Sequence, residues 1–114
     1  MTRINNRRIR EIRAILHEAF PKTFAGDGQQ KRPLALTVGR AVVLALPELG
    51  PENIEAALAD YTNGPTYLLN CVPGAARVNL DGEDEGEVTV LQAEFMAGRM
   101  KRFVPKAATL EAAQ

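Results

Sequence analysis

The sequence predicts a mainly α domain of the α+β type: a compact bundle of about five helices with a small β-hairpin inserted before the last one. Three observations carry this expectation. Apolar residues recur at three- and four-residue spacing through most of the chain. Prolines and glycines punctuate that pattern at Pro21, Pro33, Pro47, Gly50-Pro51, Gly64-Pro65 and Pro73-Gly74. Alternation of apolar and polar residues stands out in "ARVNL", just ahead of an acidic, glycine-bracketed stretch.

The first helix is expected from Ile4 to Phe20, where Ile9, Ile12, Ile15, Leu16, Ala19 and Phe20 form one stripe and arginines fill the other faces. Pro21 ends it, because proline disfavours helix in the residue before it. "KTFAGDGQQK" reads as a loop. Pro33 is expected to open a second helix, "PLALTVGRAVVLAL", since a first-turn N–H is dispensable. Within it Gly39 costs roughly 1 kcal/mol relative to alanine unless close packing requires it. Pro47 and Gly50 break that helix, and Pro51 opens a third, "PENIEAALADY". Its Ile54, Leu58 and Tyr61 share a face, while Glu52 and Glu55 suit the positive end of the helix dipole. In "TNGP", Thr62 or Asn63 can cap, Gly64 permits a turn, and Pro65 starts a short fourth helix, "PTYLLNC".

After Pro73-Gly74, Val78 and Leu80 lie on one face of a first strand, and an acidic loop leads to a second strand at "EV". Thr89 and Gln92 form a capping-box pattern for the last helix, "VLQAEFMAGRMKRF", with Leu91, Phe95 and Met96 expected inward. Residues 1–104 are expected to form the domain. Residues 105–114, Ala-rich and polar, are expected to form a flexible tail.

With 114 residues, 46% hydrophobic and 25% charged, the chain has material for one core. Its longest apolar run, "AVVLAL" at 41–46, is far too short to cross a bilayer. "MTRINNRRIR" lacks the apolar stretch of a secretory signal. A lone Cys71 excludes an internal disulfide and suits a reducing compartment, so a cytoplasmic monomer without a membrane partner is expected.

The zero net charge hides an arrangement. Residues 1–40 hold nine bases against three acids, and residues 99–114 hold four bases against one acid. Residues 41–98 hold ten acids, and their single base is Arg77. Such polarity suits a polyanion partner on a basic face, or attraction between the ends and the middle within the fold.

Catalytic signatures are absent. His17 is the sole histidine, placed among arginines, and reads as a solvated or half-buried residue rather than a base. A His17–Cys71 dyad is conceivable in composition, yet a cysteine in "LLNCV" reads as core. One His and one Cys do not make a zinc site. "DGEDEGE" lacks the ligand spacing of a calcium loop, so neither metal nor cofactor is expected. The second and third helices carry only Arg40 between them, which argues against a helix-turn-helix DNA reader.

The blocks "FPKTF" at 20–24, "KRPLAL" at 31–36, "ALADYT" at 57–62, "TYLL" at 66–69 and "VPGAARVNLDGEDEGEV" at 72–88 occur in an order and at a spacing that resembles the ProQ/FinO domain. The resemblance covers roughly residues 8–103. It implies a non-enzymatic bacterial RNA chaperone acting in post-transcriptional regulation. The expected partner is structured RNA: small RNAs and messages with a terminator hairpin followed by a single-stranded, U-rich 3′ end.

The motif positions implied for RNA contact are Lys31, Arg32, Tyr67, Leu68 and Arg77, with Leu34 packing the Arg32 loop. Tyr61, Thr62, Asn63 and Thr66 join them at the start of the fourth helix, where free N–H groups suit a phosphate. Tyr67 is expected to stack on or hydrogen-bond to a terminal nucleotide, and Arg77 to clamp phosphate through its planar fork. As a surface contact, Arg77 is expected to be removable within about 1 kcal/mol of stability. Read without the resemblance, both tyrosines suit a core, Arg32 suits solvent, and Arg77 suits the hairpin carboxylates as their counter-ion.

The chain departs from the family pattern at Ala35, Glu52 and Glu55, where basic residues are common. A basic strip of Arg3, Arg7, Arg10 and Arg13, with Lys101 and Arg102 at the other end, offers peripheral contacts. The alternative is a protein-interaction module whose acidic hairpin face docks a basic partner, with no nucleic acid involved.

Overall fold

The computed structural model describes residues 4–26 and 29–101. Arg3, Arg102 and the expected boundary at residue 104 lie outside the described residues. Five helices and one two-stranded hairpin are present among those described, as the sequence predicts.

Helix α1 spans Asn6–Ala19 and is capped by Asn5, whose side chain accepts the Arg8 N–H at 2.8 Å. Ile12 and Leu16, one turn apart, enter the core, with Ile15 and Phe20 packed at its margin. The chain then turns back. Thr23 is buried and donates its hydroxyl to the carbonyl of Asn79 at 2.7 Å, which ties this turn to the hairpin.

Helix α2, Val38–Ala45, starts at Val38 rather than at Pro33. Tertiary hydrogen bonds claim residues 33–35 before a helix can. Val78 N–H donates to the Pro33 carbonyl at 2.9 Å and Ala35 N–H to the Val78 carbonyl at 2.8 Å, so Leu34 runs parallel to Val78 as an extra strand-like rung. A single 3₁₀ turn, Pro47–Leu49, leads into helix α3, Pro51–Asn63. This helix packs on α1 and on α2, and buries Ile54, Ala57 and Tyr61. Helix α4, Pro65–Leu68, is one turn long; Asn70 and Cys71 follow in i→i+3 turns.

Strands β1, Ala76–Val78, and β2, Asp84–Glu87, pair antiparallel. The second strand starts earlier than expected, so part of the supposed acidic loop is strand. Asn79 explains this: its side-chain oxygen accepts the N–H groups of Asp81 and Glu83, both at 3.0 Å, closing the turn within five residues. Ala76 faces Glu87 while Val78 faces Asp84, so β2 carries one extra residue. Gly86, at φ 79°, absorbs this bulge.

Helix α5, Val90–Met100, opens on the expected capping box. Gln92 N–H donates to the Thr89 hydroxyl at 3.1 Å, and Thr89 N–H to Gln92 Oε1 at 3.0 Å. Its inward face differs from expectation. Ala93 is buried and Met96 and Met100 pack against the core, whereas Leu91 is 77% and Phe95 63% exposed. The box turns Gln92 toward β1, and helical periodicity then carries positions 91 and 95 outward.

The hairpin turn gives a test. Gly82 has φ 83°, and a Cβ there would sit 2.6 Å from Lys22 Cβ. Gly82→Ala is expected to cost about 1–3 kcal/mol in chemical denaturation. Gly98→Ala, in α5 with open space around it, is expected to raise stability by up to about 1 kcal/mol.

Candidate nucleic-acid interface

Arg77 sits in β1 and is only 5% exposed, not at the surface as expected. Its Nη1 donates to the Leu34 carbonyl at 2.7 Å and its Nη2 to Gln92 Oε1 at 2.9 Å, while its Nε is buried without a partner. Among the described residues no carboxylate forms an ion pair with it. The counter-ion role for the hairpin acids falls instead to Arg32, whose Nη2 lies 2.6 Å from Asp84 Oδ1. The guanidinium is thus held by two neutral oxygens and not by a bonded carboxylate, with Glu85 and Glu87 lining a shallow hollow beside it and Glu55 the groove. Truncating it strips a donor from the Leu34 carbonyl, so removal costs more than a surface substitution does.

Tyr67, 3% exposed, is fixed beside it: its hydroxyl accepts the Leu34 N–H at 3.0 Å. Tyr61 is equally buried, and its hydroxyl accepts the Ala25 N–H at 2.9 Å. Its ring meets Phe24 edge-on at 5.2 Å and Tyr67 at 6.0 Å. Neither ring is an open stacking platform. Leu68 is likewise core. Lys31, 7% exposed, lays its ammonium 4.7 Å from the Tyr61 ring centre and within 3.4 Å of the Tyr61 carbonyl.

The break before α4 is capped by Gly64, not by Thr62 or Asn63. Thr62 donates to the Ala59 carbonyl at 3.4 Å. Asn63 Oδ1 is buried without a partner, and Thr66 is exposed. A single helical turn carries only a small dipole, so the electropositive end expected here is weak.

Tyr67 and Arg77 line a groove of about 650 Å³, walled by Val38, Gly39 and Val43 of α2, Ile54, Leu58 and Thr62 of α3, and Gln92 and Met96 of α5. The groove is apolar; its charged lining is Arg40, Glu55 and Arg77. Thr62, Tyr67 and Arg77 thus meet in one place, while Lys31 and Arg32 border a separate hollow with Asn70 and Ala76. Arg7, Arg10 and Arg13 lie on α1, and Lys101 is exposed just past α5. Gln92 went unnoticed in this role: its capping-box position is visible in the sequence, but its second bond to Arg77 is tertiary.

The dyad does not form. Cys71 is buried and donates to the Tyr67 carbonyl, with burial pushing its thiol up, while His17 Nδ1 bonds the Phe24 carbonyl at 2.6 Å. Among the described residues, no His, Cys, Asp and Glu group is arranged to hold a metal, and no helix is long and apolar enough to cross a membrane.

The ProQ/FINO family model matches residues 7–113. The chain belongs to the ProQ/FinO family. It is 32% identical over 103 residues to the RNA chaperone ProQ of Aliivibrio fischeri (strain MJ11), covering 88% of this chain and 49% of that protein. It is also 32% identical over 108 residues to the RNA chaperone ProQ of Histophilus somni (strain 2336), covering 92% and 51%. The chain spans about half the length of these curated relatives, which are named as chaperones and not as enzymes. In structure it is similar to a ProQ homolog from Legionella pneumophila, with TM-score 0.73, 25% identity, and 93% and 91% of the two chains covered. A FinO-like RNA chaperone from Neisseria meningitidis MC58 shares the fold at TM-score 0.64 and 23% identity, over 81% of this chain and 93% of that one.

Burial pushes the Tyr61 and Tyr67 hydroxyls above the ordinary tyrosine value of 10.0, and the N–H groups of Ala25 and Leu34 oppose this only in part. A raised folded value means that stability is full below pH 10.0 and is lost as pH climbs through it, because the unfolded chain ionises first. These are the chain's two tyrosines. An alkaline titration read by tyrosinate absorbance is expected to show both ionising together with unfolding. Ionisation of a folded protein at the ordinary value would contradict their placement.

Proposed function

We propose that this chain is an RNA-binding domain of RNA-chaperone type that takes the base of an RNA hairpin and its single-stranded, U-rich 3′ end, as found in terminators of small RNAs and messages. One observation carries the reading: Arg77 is a buried cation, without an ion-paired carboxylate among the described residues, under an apolar groove beside Tyr67. A groove of this kind suits an unpaired nucleotide, whose base is flat and apolar and whose phosphate is anionic. The named function of the relatives supports the same partner. Thr62 supplies a polar group on the groove wall, with Asn63 next to it at the end of α3 and Thr66 exposed in a separate hollow at the start of α4. Lys31 and Arg32 supply charge beyond it, and Arg7, Arg10, Arg13 and Lys101 supply peripheral phosphate contacts. Tyr61 and Leu68 act from the core, by holding these positions. The protein acts as a cytoplasmic monomer, without cofactor or metal.

The acidic-hairpin alternative is weakened by what the acids already do. Asp84 is held by Arg32, and Glu85 accepts the Thr37 hydroxyl at 2.5 Å.

The test is a binding titration with an RNA hairpin bearing a 3′ oligo-U tail, the same hairpin without the tail, and the DNA version. The tailed RNA is expected to bind tightest, with affinity falling steeply with salt. Arg77→Lys keeps the charge but loses the two-pronged geometry, and is expected to cost roughly tenfold in affinity for the tailed RNA. Equal affinity for all three nucleic acids, or none for any, would overturn the reading.

A further inference from the structure

The groove leaves the RNA backbone with a problem. Its α3 wall carries the exposed Glu55, and its one outward cation is Arg40. Phosphates are repelled from that wall. Against α1 lies a separate cleft of about 240 Å³, lined by Arg10, Arg13, Ala14 and His17 of α1 and by Ala25 and Gly26. Arg10, Arg13 and His17 are spaced three and four residues apart, so helical geometry brings all three to one mouth.

Each side chain is set for this. Arg10 is exposed and has no hydrogen bond or ion pair to another described residue. Arg13 is braced by Asp60 at 2.8 Å and by the Tyr61 ring, whose centre is 5.4 Å from its guanidinium carbon. His17 Nδ1 lies 2.6 Å from the Phe24 carbonyl, an acceptor only, so Nδ1 carries the proton as donor. That leaves Nε2 on the cleft side, near Gly26, where an added Cβ would sit 3.3 Å from it. Neutral His17 therefore presents a lone pair to the cleft, and protonated His17 presents an N–H donor.

We propose that this cleft is a second phosphate-binding subsite for the RNA backbone, and that His17 makes it proton-linked. The inference rests on the RNA-binding reading above. Among the described residues, the charged groups lining the cleft with His17 are Arg10 and Arg13 from its own helix, and Asp60 and Tyr61 of α3 stand against Arg13. Asp60 is occupied by Arg13, and the Tyr61 hydroxyl by Ala25 N–H. The cleft connects to the groove through Tyr61. Arg13 and Lys31 both contact its ring, and Thr62, the next residue, lines the groove. In this proposal an RNA whose 3′ end enters the groove sets a phosphate of its backbone in the cleft. The link is readable because His17 is the only histidine in the chain. Histidine is the side chain whose ordinary charge change falls between about pH 5 and 8.

The experiment is titration of the full chain with the tailed RNA hairpin at about pH 5.8 and 7.6, at fixed ionic strength, across the histidine range. Wild-type affinity is expected to be up to about tenfold tighter at the lower pH, the worth of one charge-assisted hydrogen bond. His17→Asn retains a donor for the Phe24 carbonyl but cannot be protonated, and is expected to abolish this dependence. Arg10→Gln, at an exposed position, is expected to weaken binding at both pH values and to lower the salt slope by about one. Binding that is flat with pH in the wild type, or pH dependence that survives in His17→Asn, overturns the subsite alone. Failure of the wild type to bind the hairpin at either pH overturns the RNA reading, and the subsite with it.

Discussion

Much of this structure turns on one side chain, Arg77, and its two hydrogen bonds to Leu34 and Gln92. The first fixes the extended segment at residues 33–35, already joined to β1 by backbone bonds and to α4 by the Tyr67 hydroxyl. The second reaches the residue that caps α5. Hairpin, loop and two helices therefore meet at a single guanidinium. Burying an ion without a counter-charge costs several kcal/mol in an apolar setting. A hydrophobic residue would build a steadier core there. The arrangement makes physical sense for a protein that receives an anion at that point.

The charge layout follows the same logic. Among the described residues none of the acids that dominate residues 41–98 forms an ion pair with Arg77: Asp84 and Glu85 are engaged by Arg32 and Thr37, Glu87 lines a hollow beside it, and Glu52 and Glu55 stand on α3. The cations lie mostly on α1 and the segment after it, outside the groove lining. In the proposed binding mode, a nucleic acid using both regions has its unpaired end held by shape and one buried charge, and its backbone held by exposed charge. This division suits RNA, whose duplex is poorly read by side chains but whose splayed ends are accessible.

The helices were legible because periodicity and breakers agree: Pro51, Pro65 and the Thr89–Gln92 box all mark starts that local chemistry dictates. The false helical start at Pro33 shows the limit of that reading. Pro33 suits a helix locally, yet β1 takes its carbonyl and the Ala35 N–H, and no local pattern announces a pairing between residues so far apart. The same limit governed the site. Arg77, Tyr67 and Thr62 were legible as members of one motif, and Tyr67 as core by its helical position, but not the burial of Arg77, because that depends on what packs over it. Gln92 was visible as a cap and invisible as an Arg77 ligand. The outward turn of Leu91 and Phe95 followed from the helix's rotation, which Gln92 sets.

The most direct measurement is the side-chain Nε–H resonance of Arg77, followed by nitrogen-edited NMR while the tailed RNA hairpin is added. The expected result is a large shift and slowed exchange of that signal, saturating with binding and absent when the hairpin lacks its tail. A signal that stays fixed while the RNA binds would contradict the claim that Arg77 is the charge the RNA meets.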